Sequence, residues 1–160
     1  MNWIYQGEEI TSLEQIEAIL GFMPYGFIYN IVVEGGREYI GQKQLCSTRS
    51  KIIGKRQLEK EGKSAFRKRR NKKTKEWTYY QEVVKESDWQ TYIGSNKQLK
   101  KDINNGAIYT KYILDFVKDK SLMHYEETKA ILCTGALEDE RFYNDNALGR
   151  FYKKNIIDKK

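Results

Sequence analysis

Tyrosines, arginines and glutamates lying beside a strongly basic segment are what this sequence offers for chemistry. Residues 49–75 hold 13 Lys and Arg side chains against two acids, Glu59 and Glu61, while the rest of the chain holds 16 basic and 20 acidic residues, within a net charge of +7. Such a segment repels itself and seeks polyanions, and its affinity for DNA would fall steeply with salt. A soluble surface ordinarily mixes the two signs. The run also lacks the apolar face that an interfacial helix needs, so nucleic acid and not a membrane is the expected partner. Lys43, Lys51, Lys55, Arg56, Arg67, Lys68, Arg69, Arg70, Lys72 and Lys73 are the candidate nucleic-acid contacts. Phosphodiester cleavage can be built from the same residue types: a group that orients or deprotonates water, a cation on the phosphate, and a carboxylate that holds a divalent metal. Other common catalysts are missing. His124 is the single histidine, and no Gly-x-Ser-x-Gly, P-loop or Cys-x-x-Cys motif occurs.

The remaining composition narrows the class. A length of 160 residues fits one domain, 1–160, carrying a long insertion. An aromatic content of 13% is too high for a disordered chain. No apolar run approaches the ~18 residues of a membrane helix. The start MNWIYQGEEI lacks a basic region followed by an apolar one, so an intracellular protein is expected. Cys46 and Cys133 are expected to be reduced.

The elements that must position the chemistry can be read next. Residues 11–20 predict a helix, with Thr11 or Ser12 as cap, a Thr11-to-Glu14 capping box and Gly21 as terminator. Residues 25–41 predict an antiparallel hairpin turning at Glu34-Gly35-Gly36-Arg37. The basic insertion, 49–78, follows. A helix over 96–105 capped by Ser95, a strand over 108–117 and a helix over 122–138 complete the pattern. The expected fold is α+β: a small three-stranded sheet beginning with a β-hairpin, flanked by helices, with an N-terminal helical extension over 1–21.

Phe27-Ile28-Tyr29, ten residues ahead of Tyr39-Ile40-Gly41, resembles the paired motif of the GIY-YIG endonuclease superfamily; the first motif reads Gly26-Phe27-Ile28-Tyr29, a variant. Arg49 falls ten residues after Tyr39, where that family places its catalytic Arg. Gly94-Ser95…Leu99…Ile103…Gly106…Ile113-Leu114 resembles the helix and third strand of phage homing nucleases. Glu127 resembles the metal-binding Glu of the next helix, and Tyr143-Asn144 the closing Asn motif. With Glu86-Ser87-Asp88-Trp89 and the stretch Asn146–Tyr152, the match covers roughly residues 22–153 and resembles small phage-encoded endonucleases.

The resemblance implies a homing-type or site-specific endonuclease that hydrolyses double-stranded DNA in the host-cell cytoplasm. Tyr29 would take or relay a proton from water. Tyr39 would hold the water or phosphate, and Arg49 would stabilise transition-state charge. Glu127 would bind one Mg²⁺ or Mn²⁺, and Asn144 would brace that corner. Residues 49–78 would contact the DNA backbone, with Trp77, Tyr79 and Tyr80 packing on sugar or base, since no separate DNA-reading domain follows. The sequence departs from the family at Ile52 and Ile53, where a His or Tyr is frequent, and at Gln42-Lys43 after the second motif. Each residue also has a plainer role. Tyr29 and Tyr39 can be cross-strand partners. Glu126 competes with Glu127, Asn146 with Asn144, and Lys43, Lys51 and Arg56 with Arg49. The alternative function is a non-catalytic DNA- or RNA-binding module on a nuclease-derived fold. Cutting both strands with one active site would require a homodimer or a second visit.

Overall fold

The computed structural model describes residues 1–157. Two compact units divide the chain: Met1–Leu45 together with the chain from Asp88 onward, and Cys46–Ser87.

The first unit opens with β1 (Trp3–Tyr5) and β2 (Glu8–Ile10), joined at Gln6-Gly7, followed by α1 (Leu13–Leu20), β3 (Gly26–Val33) and β4 (Arg37–Gln44). The second unit holds β5 (Cys46–Ile52), α2 (Lys55–Glu61), β6 (Arg67–Arg70) and β7 (Trp77–Glu86). The first unit then resumes with α3 (Lys97–Asn104), β8 (Tyr109–Val117), α4 (Lys120–Cys133), β9 (Asn146–Ala147), β10 (Phe151–Tyr152) and α5 (Lys153–Ile157).

The expected hairpin is β3–β4, with Tyr29 directly opposite Gly41 and Ile31 opposite Tyr39. The expected third strand is β8, antiparallel to β3, with a bulge that shifts the register between Ile28 and Tyr29. The three-stranded sheet is corrected to five strands in the order β2-β1-β8-β3-β4. The extra two belong to the N-terminal stretch expected to be helical. Each is only three residues long, too short to show an alternation of its own. β1 lies parallel to β8, and Trp3, directly opposite Lys111, sends its indole N–H to the Trp89 carbonyl at 2.7 Å.

Strand alternation sorts the side chains onto two faces. One carries Trp3, Phe27, Tyr29 and Ile31, all at most 1% exposed, joined by Trp89 from beyond the insertion. Ring centroids in this cluster stand 5.0 to 6.3 Å apart in edge and tilted geometries, as aromatic quadrupoles prefer. Lys111 is buried among them, its Nζ donating to the Gln90 carbonyl at 2.6 Å and standing 4.5 Å from the Trp3 ring centroid. The other face packs Ile28, Ile40 and Val117 against Met123 and Ile131 of α4, with Leu137 and Phe142 beyond the helix.

The second unit is a three-stranded antiparallel sheet in the order β5-β7-β6. Strand content was not expected in the basic insertion, because Lys and Arg weaken the strand signal. Ile53 is its one buried hydrophobic residue, its N–H bonded to the Tyr79 carbonyl; Leu58, Phe66, Tyr79 and Tyr80 are half-buried.

Candidate active site

β4 is the edge strand of the five-stranded sheet, so its outward N–H and C=O groups need partners. The segment after α4 supplies them. Glu38 N–H donates to the Arg141 carbonyl, and Tyr143 N–H donates to the Glu38 carbonyl. One step on, the Asn144 side chain takes over. Its Oδ1 accepts from Ile40 N–H at 3.0 Å and its Nδ2 donates to the Ile40 carbonyl at 2.8 Å. The amide thus imitates a neighbouring strand. Asn144 is 3% exposed, whereas its competitor Asn146 is exposed and accepts from Gly149 N–H.

A cleft of about 950 Å³ opens beside this edge, lined by Tyr39, Gln42, Ser95, His124, Glu127 and Asn144 among others. Tyr39 stands at its wall, its hydroxyl 2.8 Å from Ser95 Oγ. Ser95 is free for this because the cap of α3 is Asn96, whose side chain accepts from Leu99 N–H at 3.0 Å. Asn96 Nδ2 also donates to the Tyr143 carbonyl at 2.7 Å and to Asp145 at 2.8 Å, tying the head of α3 to the closing Asn segment. Gly94 makes the approach possible. Its φ is +89°, and a Cβ there would meet the Tyr39 ring at 3.0 Å.

Glu127 is half-buried on α4, with the Gln42 backbone N–H as its hydrogen-bond partner. Burial pushes its carboxyl up to about 7, against the pull of that N–H. Glu126 instead bonds Lys129 at 3.2 Å. Gln42 lies 2.8 Å from His124 Nδ1 through its Nε2, while its Oε1 is buried without a hydrogen-bond partner. A carboxylate and an unpaired amide oxygen are hard donors, the kind that suit Mg²⁺ or Mn²⁺ completed by water and phosphate. Among the described residues, no three His, Cys, Asp or Glu side chains gather into a closed metal cage.

Tyr29 stands behind this wall. Its ring lies 6.1 Å from that of Tyr39 and 6.0 Å from that of Tyr92, and its hydroxyl hydrogen-bonds with Tyr92. Burial, reinforced by the neighbouring Tyr39 and Tyr92, holds the Tyr29 phenol well above its ordinary range, and burial raises Tyr39 as well. Both are neutral phenols at physiological pH. Lys43 lies with its Nζ 3.9 Å over the Tyr92 ring and 2.5 Å from Asp88, whose carboxyl that bond lowers. Arg37, another cation at the cleft, is stacked 3.7 Å over the Tyr143 ring and paired with Asp102 at 3.3 Å.

Tyr39, Glu127 and Asn144 are therefore brought to one cleft, with Tyr29 immediately behind Tyr39. Arg49 lies in the second unit, exposed on β5. Lys51, Arg67, Lys68, Arg69 and Arg70 are exposed on β5 and β6, Lys55 and Arg56 open α2, and Lys72 and Lys73 are exposed between β6 and β7. Sequence reasoning missed Tyr92, Ser95 and Gln42. The first two sit in Tyr92-Ile93-Gly94-Ser95, whose likeness to Tyr39-Ile40-Gly41 was a signal: the two segments meet, Gly94 against Tyr39 and Tyr92 against Tyr29.

A family model described as "Putative endonuclease segE, GIY-YIG domain" matches residues 3–156. Comparison with curated proteins and with solved structures gave no match. A match over almost the whole chain agrees with the hairpin motif pair and with the helix and Asn segment that meet it. The chain belongs to the GIY-YIG endonuclease family.

Proposed function

We propose that the chain is a metal-dependent endonuclease of homing or site-specific type that hydrolyses phosphodiester bonds of double-stranded DNA. The observation that carries this is the half-buried Glu127 facing one cleft with Tyr39 and Asn144, from elements far apart in sequence. Glu127, with Gln42 Oε1, would hold one Mg²⁺ or Mn²⁺, which supplies Lewis-acid stabilisation of charge on the phosphate and leaving oxygen. Tyr39, steadied by Ser95, orients the water or a phosphate oxygen. Tyr29 acts as a relay: its oxygen takes a proton from water as its own passes to Tyr92, and the proton of Tyr92 passes on to Ser95 and the solvent of the cleft, so no free phenolate is required. Asn144 keeps the β4 edge in register beneath these groups. Arg49 is proposed as the cation on the phosphate, with Lys43, Lys51 and Arg56 as its competitors.

The test is cleavage of supercoiled plasmid with Mg²⁺, with Mn²⁺ and with EDTA, beside Tyr29→Phe, Tyr39→Phe, Arg49→Ala and Glu127→Gln. The expected result is metal-dependent nicking or linearisation. The tyrosine variants should lose activity by about 10² to 10⁴, the usual worth of a positioned proton-transfer group. Full activity in Glu127→Gln overturns the metal assignment. Uncut but shifted DNA in every lane supports the second reading, a non-catalytic DNA- or RNA-binding module. That reading is favoured by apolar Ile52 and Ile53 at the positions where the family frequently has a His or Tyr.

A further inference from the structure

In an antiparallel ladder, residues directly opposite each other point to the same face, and the face alternates at each step. In the β5-β7-β6 sheet this puts Arg49 opposite Val83, Lys51 opposite Gln81, Lys68 opposite Tyr79 and Arg70 opposite Trp77 on one face, with Lys85 a further step along β7. Every same-face level of the sheet, from residue 85 to residue 77 of β7, therefore carries one cation, and no Asp or Glu lies on that face. The opposite face is different. Its two cations, Arg67 and Arg69, are matched in number by Glu82 and Glu86, and exposed Ile52 and Val84 share that face.

Two side-chain contacts agree with the register. Lys68 Nζ stands 5.0 Å from the Trp77 ring centroid on the cationic face, and Arg67 is paired with Glu82 at 2.6 Å on the other. Same-face steps are about 6.8 Å apart, so the five cations form a band about 27 Å long. A duplex presents on the order of fifteen phosphates along that length. A single strand would instead call for a row of exposed aromatic platforms. This face has one, Trp77, 53% exposed.

We propose that duplex DNA lies along this one face, held by Arg49, Lys51, Lys68, Arg70 and Lys85, and that the Arg67/Arg69 face is turned away from it. The inference rests on the reading of the chain as a DNA-cleaving enzyme. It departs from a general basic insertion by adding Lys85 and by separating neighbours within Arg67-Lys68-Arg69-Arg70.

The test is binding of the full chain to a random-sequence duplex in EDTA over a range of KCl, reading the slope of log affinity against log salt. Arg49 is left intact because of its proposed part in catalysis. The variant with Lys51→Gln, Lys68→Gln, Arg70→Gln and Lys85→Gln should flatten the slope by about 3 to 4, and the pair Lys51→Gln/Arg70→Gln by about 2. The pair Arg67→Gln/Arg69→Gln, matched in number, should flatten it by less than about 1. All these positions are exposed, and circular dichroism reports whether each variant folds. Equal flattening by the two pairs overturns the face assignment, as does equally tight, equally variant-sensitive binding of single-stranded DNA or RNA. Wild-type protein that neither binds duplex nor cuts plasmid overturns the nuclease reading itself. Protein that cuts but whose slope ignores the face overturns only this inference.

Discussion

A Cβ on Gly41 would lie 2.3 Å from the Tyr29 hydroxyl and 2.5 Å from the ring carbon that bears it. The glycine that ends the second motif is thus required by a ring packed across the hairpin. Tyr29 is 1% exposed and hemmed in by Trp3, Phe27, Tyr39 and Tyr92, so it has nowhere to yield. Gly41→Ala should cost about 1–3 kcal/mol by overpacking. Because the displaced ring is the one proposed to relay a proton, cleavage should fall too. Urea denaturation and the plasmid assay check both, and wild-type stability would show that the Tyr29 ring is not fixed as described. At this scale the sequence singled out residues that the fold gathers at one cleft. Tyr39, Glu127 and Asn144 share a cleft that Asn146 also lines; Glu126 pairs with Lys129, and Asn146 accepts from Gly149 N–H, whereas Asn144 holds the β4 edge. Ser95 and Tyr92 were less legible, because their part depends on which helix residue becomes the cap and on a fold that brings two Tyr-Ile-Gly segments together.

Among the elements, those with a long and regular pattern were legible. The β3–β4 hairpin and β8 stand where β-branched and aromatic residues concentrate. Helix ends moved by a few residues for local reasons. Ser12, and not Thr11, caps α1, accepting from Gln15 N–H at 3.2 Å, and the expected Thr11–Glu14 box is replaced by Gln15 Oε1 accepting from Thr11 N–H at 2.9 Å. Asp119 caps α4, which ends at Cys133, before the predicted 138. Less legible were elements built from short or charged strings, namely β1, β2 and the second unit's sheet. β8 offers a test of its own, because Lys111 is buried in the middle of the sheet and burial lowers its amine to about 8. Between about 8 and its ordinary value of 10.5, the unfolded chain binds a proton that the folded one has released. This group therefore makes stability rise with pH across that window, and its penalty is fully present below about 8. Lys111→Met should remove that rise, so that the stability difference between variant and wild type shrinks or reverses in favour of wild type as pH climbs. Denaturant melts across the window measure it, and parallel curves would refute it.

For the molecule as a whole, charge and packing are partitioned between the two units. Residues 46–87 carry fourteen Lys and Arg against five acids, and the remaining chain fifteen against seventeen. The first unit has its own core on both faces of its sheet, and Asp88, where it resumes, lies within reach of the Lys43 side chain. Replacing 46–87 by a short Gly-Ser linker should therefore leave a cooperatively folding protein whose duplex affinity at low salt is lower by about two orders of magnitude or more. Calorimetry and binding isotherms check the two halves of that statement, and unchanged affinity would place DNA binding in the first unit. The Asn144 clamp on Ile40 has a consequence in time as well as in space. Its partners are separated by 104 residues. At ribosomal rates of about 5–20 residues per second, the hairpin is made about 5–20 s before the amide that closes its edge. A nascent chain carries both tyrosine motifs long before it carries the residue that closes the β4 edge. On the proposed function, a truncated chain that ends before Asn144 should therefore be inactive.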